Sequence, residues 1–310
     1  MKRQRKVVAA IVVLALGLMA TACGDDDDSA TADERSGPTI KIGAQDFGES
    51  AILAQIYLQA LEADGFKADD ISIGGFRDLL FAAFKSGDVN LAPDYLASEL
   101  EFLNGGKGEA SSDVDATLEK LKPLLEANDP PMVAFEPSPA VDTNSFVITK
   151  ETSDDLGIET LSDLAEKGQD LKLGAPQDCE ENAFCLPGLK DVYGLDLSAN
   201  FTPLEAGVIG DSLAAGAIDV ALLFSTNGRI ADEGWVLLED DKQMLAADNV
   251  LPVATKELSD AYGADLATLL DKVSAELTTD ELIDLNKRYD IDKDDAADIA
   301  TDWLADHSLG

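Results

Sequence analysis

Apolar side chains recur at helical spacing across residues 50–65, where Ile52, Leu53, Ile56, Tyr57, Ala60 and Leu61 share one face. That period predicts a helix, with Gly65 as its C-cap. Just before it, Thr39-Ile40-Lys41-Ile42-Gly43 is a short β-prone run. Residues 70–73 and 90–92 read as strands on either side of a helix over 77–86. A further helix over 113–127 leads to a strand at 132–135. Strands alternating with helices predict βαβ units and a largely parallel sheet.

The alternation restarts after Pro137-Ser138-Pro139, with strand 145–149, helix 161–167 and strand 171–175. One local pattern occurs in both halves. Phe81-Ala82-Ala83-Phe84-Lys85-Ser86-Gly87-Asp88-Val89-Asn90 and Ser212-Leu213-Ala214-Ala215-Gly216-Ala217-Ile218-Asp219 each run from an Ala-rich helix through glycine to a β-branched residue. An Asn or Asp and an apolar strand follow in each. The match predicts two lobes of like construction. The tail reads as helices over 258–277, then from a capping box at Thr278-Thr279-Asp280-Glu281 to residue 289, then 294–307.

The first residues read as an address. Lys2, Arg3, Arg5 and Lys6 precede a charge-free apolar run over 7–20, too short to span a bilayer comfortably. Ala20-Thr21-Ala22-Cys23 resembles the lipobox of bacterial lipoproteins, although Ala20 stands where Leu is usual. On that reading Cys23 is lipidated after removal of residues 1–22, and the acidic stretch 23–38 is a flexible tether. The alternative is an ordinary secretory signal cleaved near Ala22, with an incidental thiol.

Charge narrows the function. Lys plus Arg is 23 against 61 Asp plus Glu, a formal net charge of −38. Such a surface repels phosphate backbones, which argues against nucleic-acid partners. The single histidine, His307, leaves Ser-His-Asp catalysis and His-rich metal sites unsupported. Asp290-Ile291-Asp292-Lys293-Asp294 begins like a calcium loop. Asp295 replaces the needed glycine, however, and Thr301 the final glutamate, so helix capping by Asp294 is expected instead. Gly105-Gly106-Lys107-Gly108 lacks P-loop spacing. If Cys23 carries lipid, Cys179 and Cys185 remain, in an oxidising compartment. A disulfide closing so short a loop would contribute roughly 2 kcal/mol; a reactive site is the other reading. No catalytic residue, metal ligand or cofactor is expected.

A ligand between two α/β lobes sits at the carboxyl ends of their strands. The loops expected there, 44–49, 74–77, 92–95, 176–184 and 224–228, hold Phe47, Phe76, Tyr95, Phe184 and Phe224 beside Asp46, Arg77 and Asn227.

These residues carry a family resemblance. Ile42-Gly43-Ala44-Gln45-Asp46-Phe47-Gly48-Glu49-Ser50-Ala51-Ile52-Leu53 and Gly87-Asp88-Val89-Asn90-Leu91-Ala92-Pro93-Asp94-Tyr95 resemble the solute-binding lipoproteins of ABC importers for glycine betaine, choline and related osmoprotectants. So do Asn144-Ser145-Phe146-Val147-Ile148, Gly188-Leu189-Lys190-Asp191-Val192-Tyr193-Gly194, Thr226-Asn227-Gly228-Arg229-Ile230 and Leu251-Pro252-Val253. Six pieces in order span nearly all of 39–307.

The resemblance implies an α/β, two-lobed, venus-flytrap fold of type II with two hinge crossovers. Lobe one would take 39–142 plus 251–310 and lobe two 143–250. It implies a monomer that captures a small solute and passes it to a membrane permease. The quaternary ammonium would rest on ring faces, worth about 0.5–2 kcal/mol each. The expected ligand set is Gln45, Asp46, Phe47, Phe76, Arg77, Tyr95, Asp142, Asn144, Phe224 and Thr226. Departures from the family pattern fall in and beside this set: Gln45 for Lys, Ala92 and Phe146 for Tyr, and Asn227 for Asp. With that Lys gone, Arg77 is the expected anchor for an anionic ligand group; otherwise it is a surface arginine paired with a neighbour. Two other classes could use such a chain, a ligand-sensing lipoprotein and a carboxylate-only glycosidase.

Overall fold

The computed structural model describes residues 35–310 apart from 181, 183 and 247. The leader, Cys23 and the tether up to residue 34 lie outside the described residues. The first sheet starts with β1 (Ile40–Ala44), whose Ile40 and Ile42 are fully buried. α1 (Gly48–Ala63) follows and buries the apolar face read from its period, and the chain turns at Gly65. β2 (Ala68–Ser72), α2 (Arg77–Ser86), β3 (Leu91–Tyr95), α3 (Leu96–Asn104), α4 (Val114–Glu126) and β4 (Met132–Ala134) complete this pass.

The chain then crosses to a second sheet through β5 (Asn144–Ile148), α5 (Lys150–Leu156), α6 (Leu161–Lys167), β6 (Leu173–Ala175), α7 (Leu186–Gly188) and β7 (Phe201–Pro203). α8 (Ala206–Ala214), β8 (Val220–Phe224), α9 (Arg229–Glu233) and β9 (Val236–Leu237) follow. It returns as β10 (Val250–Thr255) and ends with α10 (Lys256–Tyr262), α11 (Ala264–Glu276), α12 (Thr279–Lys287) and α13 (Ala296–Asp306). The sheet orders are β2-β1-β3-β10-β4 and β7-β6-β8-β5-β9. In each, the strand that has just crossed over, β10 or β5, runs antiparallel to its neighbours. The two crossover segments touch in an antiparallel bridge, Val141 to Asn249.

The two halves match down to single hydrogen bonds. After α2, Asp88 N and Val89 N both donate to Ala83 O; after α8, Ala217 N and Ile218 N both donate to Ser212 O. Gly87 and Gly216 make these turns at φ 78° and 66°, where a Cβ would be strained. Next, the Asn90 side chain accepts from Lys41 N at 2.7 Å, and Asp219 accepts from Lys172 N at 2.9 Å. Each polar side chain thus ties the start of its strand to the neighbouring one.

Several expectations are corrected. α3 and α5 form in segments to which the sequence pattern assigned no element; buried Glu99 interrupts the apolar stripe of α3, Leu96, Ala97 and Leu100. The helix expected over 258–277 breaks at Gly263, whose φ of 58° and ψ of −130° separate α10 from α11. Asp294 does not cap the last helix. Asp295 occupies the N-cap without a side-chain bond, and Asp294 instead accepts from Arg288 Nε at 3.0 Å. The Thr278–Glu281 capping box is present. Cys179 and Cys185 are bonded and buried in the second sheet's core.

α12 bridges the two halves. Leu282 and Leu285 pack into the core under the first sheet, while Ile283 packs into a cluster under the second.

Candidate functional site

Three helices start at the carboxyl ends of first-sheet strands, and each brings an aromatic N-cap: Phe47 for α1, Phe76 for α2, Tyr95 for α3. Facing them are Phe224 at the end of β8, and Thr226 and Asn227 just beyond it. Between the sheets lies a cavity of about 480 Å³. Of the expected residues, Gln45, Phe47, Phe76, Arg77, Tyr95, Asp142, Phe224 and Thr226 line it. Asp46 does not. It is exposed, its backbone N donates to Gly75 O, and it borders a neighbouring groove. Asn144 does not line it either, pairing across the sheet with Phe224. Phe184 packs against the second-sheet core.

The rings divide into two kinds. Tyr95 is buried and lies 6.1 Å from Phe47, centroid to centroid, at 31°. Phe76 and Phe224 are 61% and 58% exposed. Two large apolar rings left open to water at the mouth of one cleft are unusual on a soluble surface and mark a place where something docks.

Between the rings runs a polar chain. Tyr95 Oη donates to Glu49 Oε1 at 2.7 Å, and Asn286 Nδ2 donates to Glu49 Oε2 at 2.6 Å. Asn286 Nδ2 also donates to Thr226 O at 2.8 Å, and Thr226 Oγ1 donates to Asp142 Oδ1 at 2.8 Å. Burial pushes the Glu49 carboxyl up, against the hydrogen bonds that lower it. Burial, and then the nearby Glu49 charge, push Asp142 well up. Burial and Glu49 together raise the Tyr95 phenol.

Arg77 proves to be neither a surface residue nor unengaged. Its Nε and Nη2 donate to Asp94 Oδ1 at 3.0 and 2.5 Å, and Asp94 is fully buried. The same oxygen accepts from Tyr95 N at 2.8 Å and from Gln45 Nε2 at 3.4 Å. Burial, the largest single influence, pulls the guanidinium down, but the Asp94 charge and hydrogen bond together with the Glu99 and Asp248 charges outweigh it, and the net shift is upward. Sequence reasoning missed Glu49, Ser98, Asp248, Asn286 and Asp290, which also line the cavity. Glu49 was within reach, two residues past Phe47 in the opening motif. Asp248 and Asn286 had no local signal, since only the fold brings the second crossover and α12 to this spot. Asp248 accepts from Ser98 N at 2.9 Å and Ser98 Oγ at 2.5 Å, and burial raises it. No group of acidic, His or Cys side chains suited to a metal ion occurs among the described residues.

Two α/β lobes joined by two crossovers, with an aromatic and acidic cleft between them, define a solute-binding protein of the type II, venus-flytrap class. The model of the substrate binding domain of ABC-type glycine betaine transport systems matches residues 38–306, so the chain belongs to that family. A glycine-betaine-binding protein of Pseudomonas aeruginosa is 28% identical over 281 residues, 87% of this chain and 88% of its own length. A carnitine transport binding protein of Listeria monocytogenes is 27% identical over 270 residues, 86% of each. The crystal structure of a glycine betaine/carnitine/choline ABC transporter protein superposes with a TM-score of 0.79 at 27% identity, covering 88% of this chain and 99% of that one. A lactococcal protein in its closed form with glycine betaine shares the fold at a TM-score of 0.54 and 12% identity, covering 87% of this chain and 96% of its own. Members of such importer families bind small solutes and hand them to a permease, and the family is not one of enzymes.

Proposed function

We propose that this protein is the extracytoplasmic, lipid-anchored binding component of an ABC importer, and that it captures a quaternary-ammonium solute between its lobes. The observation that carries the reading is the cleft itself: the rings of Phe47, Phe76, Tyr95 and Phe224 line a space that is also lined by Glu49 and Asp142. A trimethylammonium group cannot donate a conventional hydrogen bond, so ring faces and carboxylates are its natural partners. The names of the Pseudomonas and Listeria relatives support the same chemistry.

Lobe one would comprise 39–142 with 251–310, and lobe two 143–250. Closure on ligand would tighten the lobes around the Asn286–Thr226 bridge, and the permease would read the closed form. Lipid on Cys23 would hold the monomer at the membrane; no helix among the described residues is long and apolar enough to cross it.

Calorimetric titration with choline, glycine betaine and carnitine tests the ligand class. Micromolar binding weakened by about 0.5–2 kcal/mol in Phe224→Ala is expected, and a folded protein silent to all three would refute it. For the anchor, Cys23→Ala is expected to move the protein from the membrane fraction to the medium.

A further inference from the structure

We propose that the cleft selects a quaternary ammonium ligand that carries no carboxylate, an amino-alcohol such as choline, over the zwitterion glycine betaine. The inference rests on the quaternary-ammonium reading above and narrows it.

The argument is one of charge and of committed donors. Glu49, Asp142, Asp248 and Asp290 line the cavity, and the one basic residue that lines it is Arg77. Arg77 already gives Nε and Nη2 to Asp94. Gln45, the next donor along, is neutral and also turns its Nε2 to Asp94. Lys287, on the same stretch as Asn286, is outside the lining and bonds Asp292 at 2.8 Å. A ligand carboxylate would therefore enter a space lined by four acidic side chains, where the one cation, Arg77, is already ion-paired with Asp94 and has little beyond its Nη1 donors left to give. Like charges at close range with little water between them are strongly disfavoured.

A hydroxyl tail fits the same surroundings. Glu49 and Asp142 each have two oxygens with several lone pairs, so they keep acceptor capacity beyond their bonds to Tyr95, Asn286 and Thr226. The cationic head suits them as well. Glu49 faces Tyr95 from β3 and Asp290 beyond α12, while Asp142 faces Glu49 from α1 and Asp248 from the second crossover. Burial, the largest cause, raises both carboxyls, and neighbouring charges add to it by repulsion: Asp290 on Glu49, and Glu49 and Asp248 on Asp142. A permanent cation relieves that repulsion, and a ligand carboxylate adds to it.

Tetramethylammonium, choline and glycine betaine share one head and differ in the tail, so calorimetry with the three separates head from tail. We expect the first two to bind and glycine betaine to bind at least tenfold more weakly, about 1.4 kcal/mol. Asp142→Asn is expected to narrow that gap by strengthening glycine betaine binding; Glu49→Gln is the second variant if the first does not fold. Glycine betaine binding as tightly as choline, with affinity falling as pH rises, would overturn the proposal. It would mean that a protonated Asp142 donates to the ligand carboxylate, and would leave the function standing. A gap unchanged in both variants would remove these carboxylates as its cause. Silence to all three ligands would end both the proposal and the reading beneath it.

Discussion

Asn286 on α12 reaches across the cleft to Thr226 beyond β8, its Nδ2 lying 2.8 Å from the Thr226 carbonyl oxygen, and the same nitrogen holds Glu49 Oε2 at 2.6 Å. One buried amide thus joins the two halves and satisfies the carboxylate under Tyr95. Asn286→Ala removes both bonds and leaves the Glu49 oxygen unpaired in a buried place. The cost of a lost bond with an orphaned partner is about 1–3 kcal/mol. Urea unfolding should show a loss of that size. Calorimetry should show weaker ligand binding, because the bridge that holds the two halves together around the cleft is gone. Unchanged affinity would mean that this bridge serves the fold and takes no part in ligand capture.

Gly228 tests closure by a different route. A Cβ built on it would lie 2.4 Å from Lys287 N and 2.6 Å from Lys287 Cα. Its own φ of −57° is ordinary, so alanine strains nothing locally. The clash is with the backbone at the end of α12 and cannot be relieved by a side-chain rotation. Gly228→Ala is therefore expected to hold the lobes apart. Ligand affinity should drop by tenfold or more, and the radius of gyration of the liganded protein by X-ray scattering should stay at the unliganded value. A variant that compacts normally with ligand would show that α9 can shift at little cost.

The exposed rings separate binding from stability. Phe76 and Phe224 bury little, so their removal forfeits few packing contacts. Phe76→Ala and Phe224→Ala should each cost about 0.5–2 kcal/mol of ligand binding, the worth of one cation–π face. Thermal midpoints should stay within a degree or two of the parent. Phe146→Ala is the control: Phe146 is fully buried in the second-sheet core, and truncating it should cost about 3–5 kcal/mol of stability. If Phe224→Ala destabilises as Phe146→Ala does, Phe224 belongs to the fold rather than to the cleft.

The sequence made the rings of this site legible because chain direction did the work. Phe47, Phe76 and Tyr95 each follow a strand and start a helix, and that is a local signal. The repeated turn at Gly87 and Gly216 was legible for the same reason, and it extends to the Asn90 and Asp219 bonds. The charge arrangement was not legible. Arg77 and Asp94 are 17 residues apart and meet only because α2 starts where β3 ends. An arginine read as a ligand anchor is therefore the partner of a buried acid. Asn286 and Asp248 were invisible for a stronger reason: each arrives from a segment that the sequence places far from the opening motif, through a helix or a crossover whose path only tertiary packing decides. Asp294 was assigned to a cap by its position, but a long-reaching arginine, Arg288, offered a charged partner and took it.

The buried acids give the protein an unusual acid response. Burial raises Glu99, Asp142 and Glu49 above their ordinary values of 4.5, 3.8 and 4.5, and raises Asp248 above 3.8. A carboxyl raised in the folded state binds its proton more tightly there than in the unfolded chain. Its folded form is thus penalised at neutral pH, and the penalty lifts as pH falls through the folded value toward the unfolded one. Asp163 and Asp196 go the other way, held at about 2 by bonds from Lys167 and Lys190 respectively. Their contribution is present above 3.8 and is lost below it. The thermal midpoint should therefore rise as pH is lowered from 7 to about 4.5, then fall below about 3.8. Glu99 isolates the first part, since neither of its buried carboxylate oxygens has a hydrogen-bond partner among the described residues. Glu99→Gln removes the charge and keeps the shape. It should raise the midpoint at pH 7 and flatten the climb toward pH 4.5, while leaving the acid-side fall in place. A midpoint at pH 7 that drops in Glu99→Gln would mean that the ionised carboxylate stabilises the Arg77–Asp94–Asp248 surroundings by more than its burial costs.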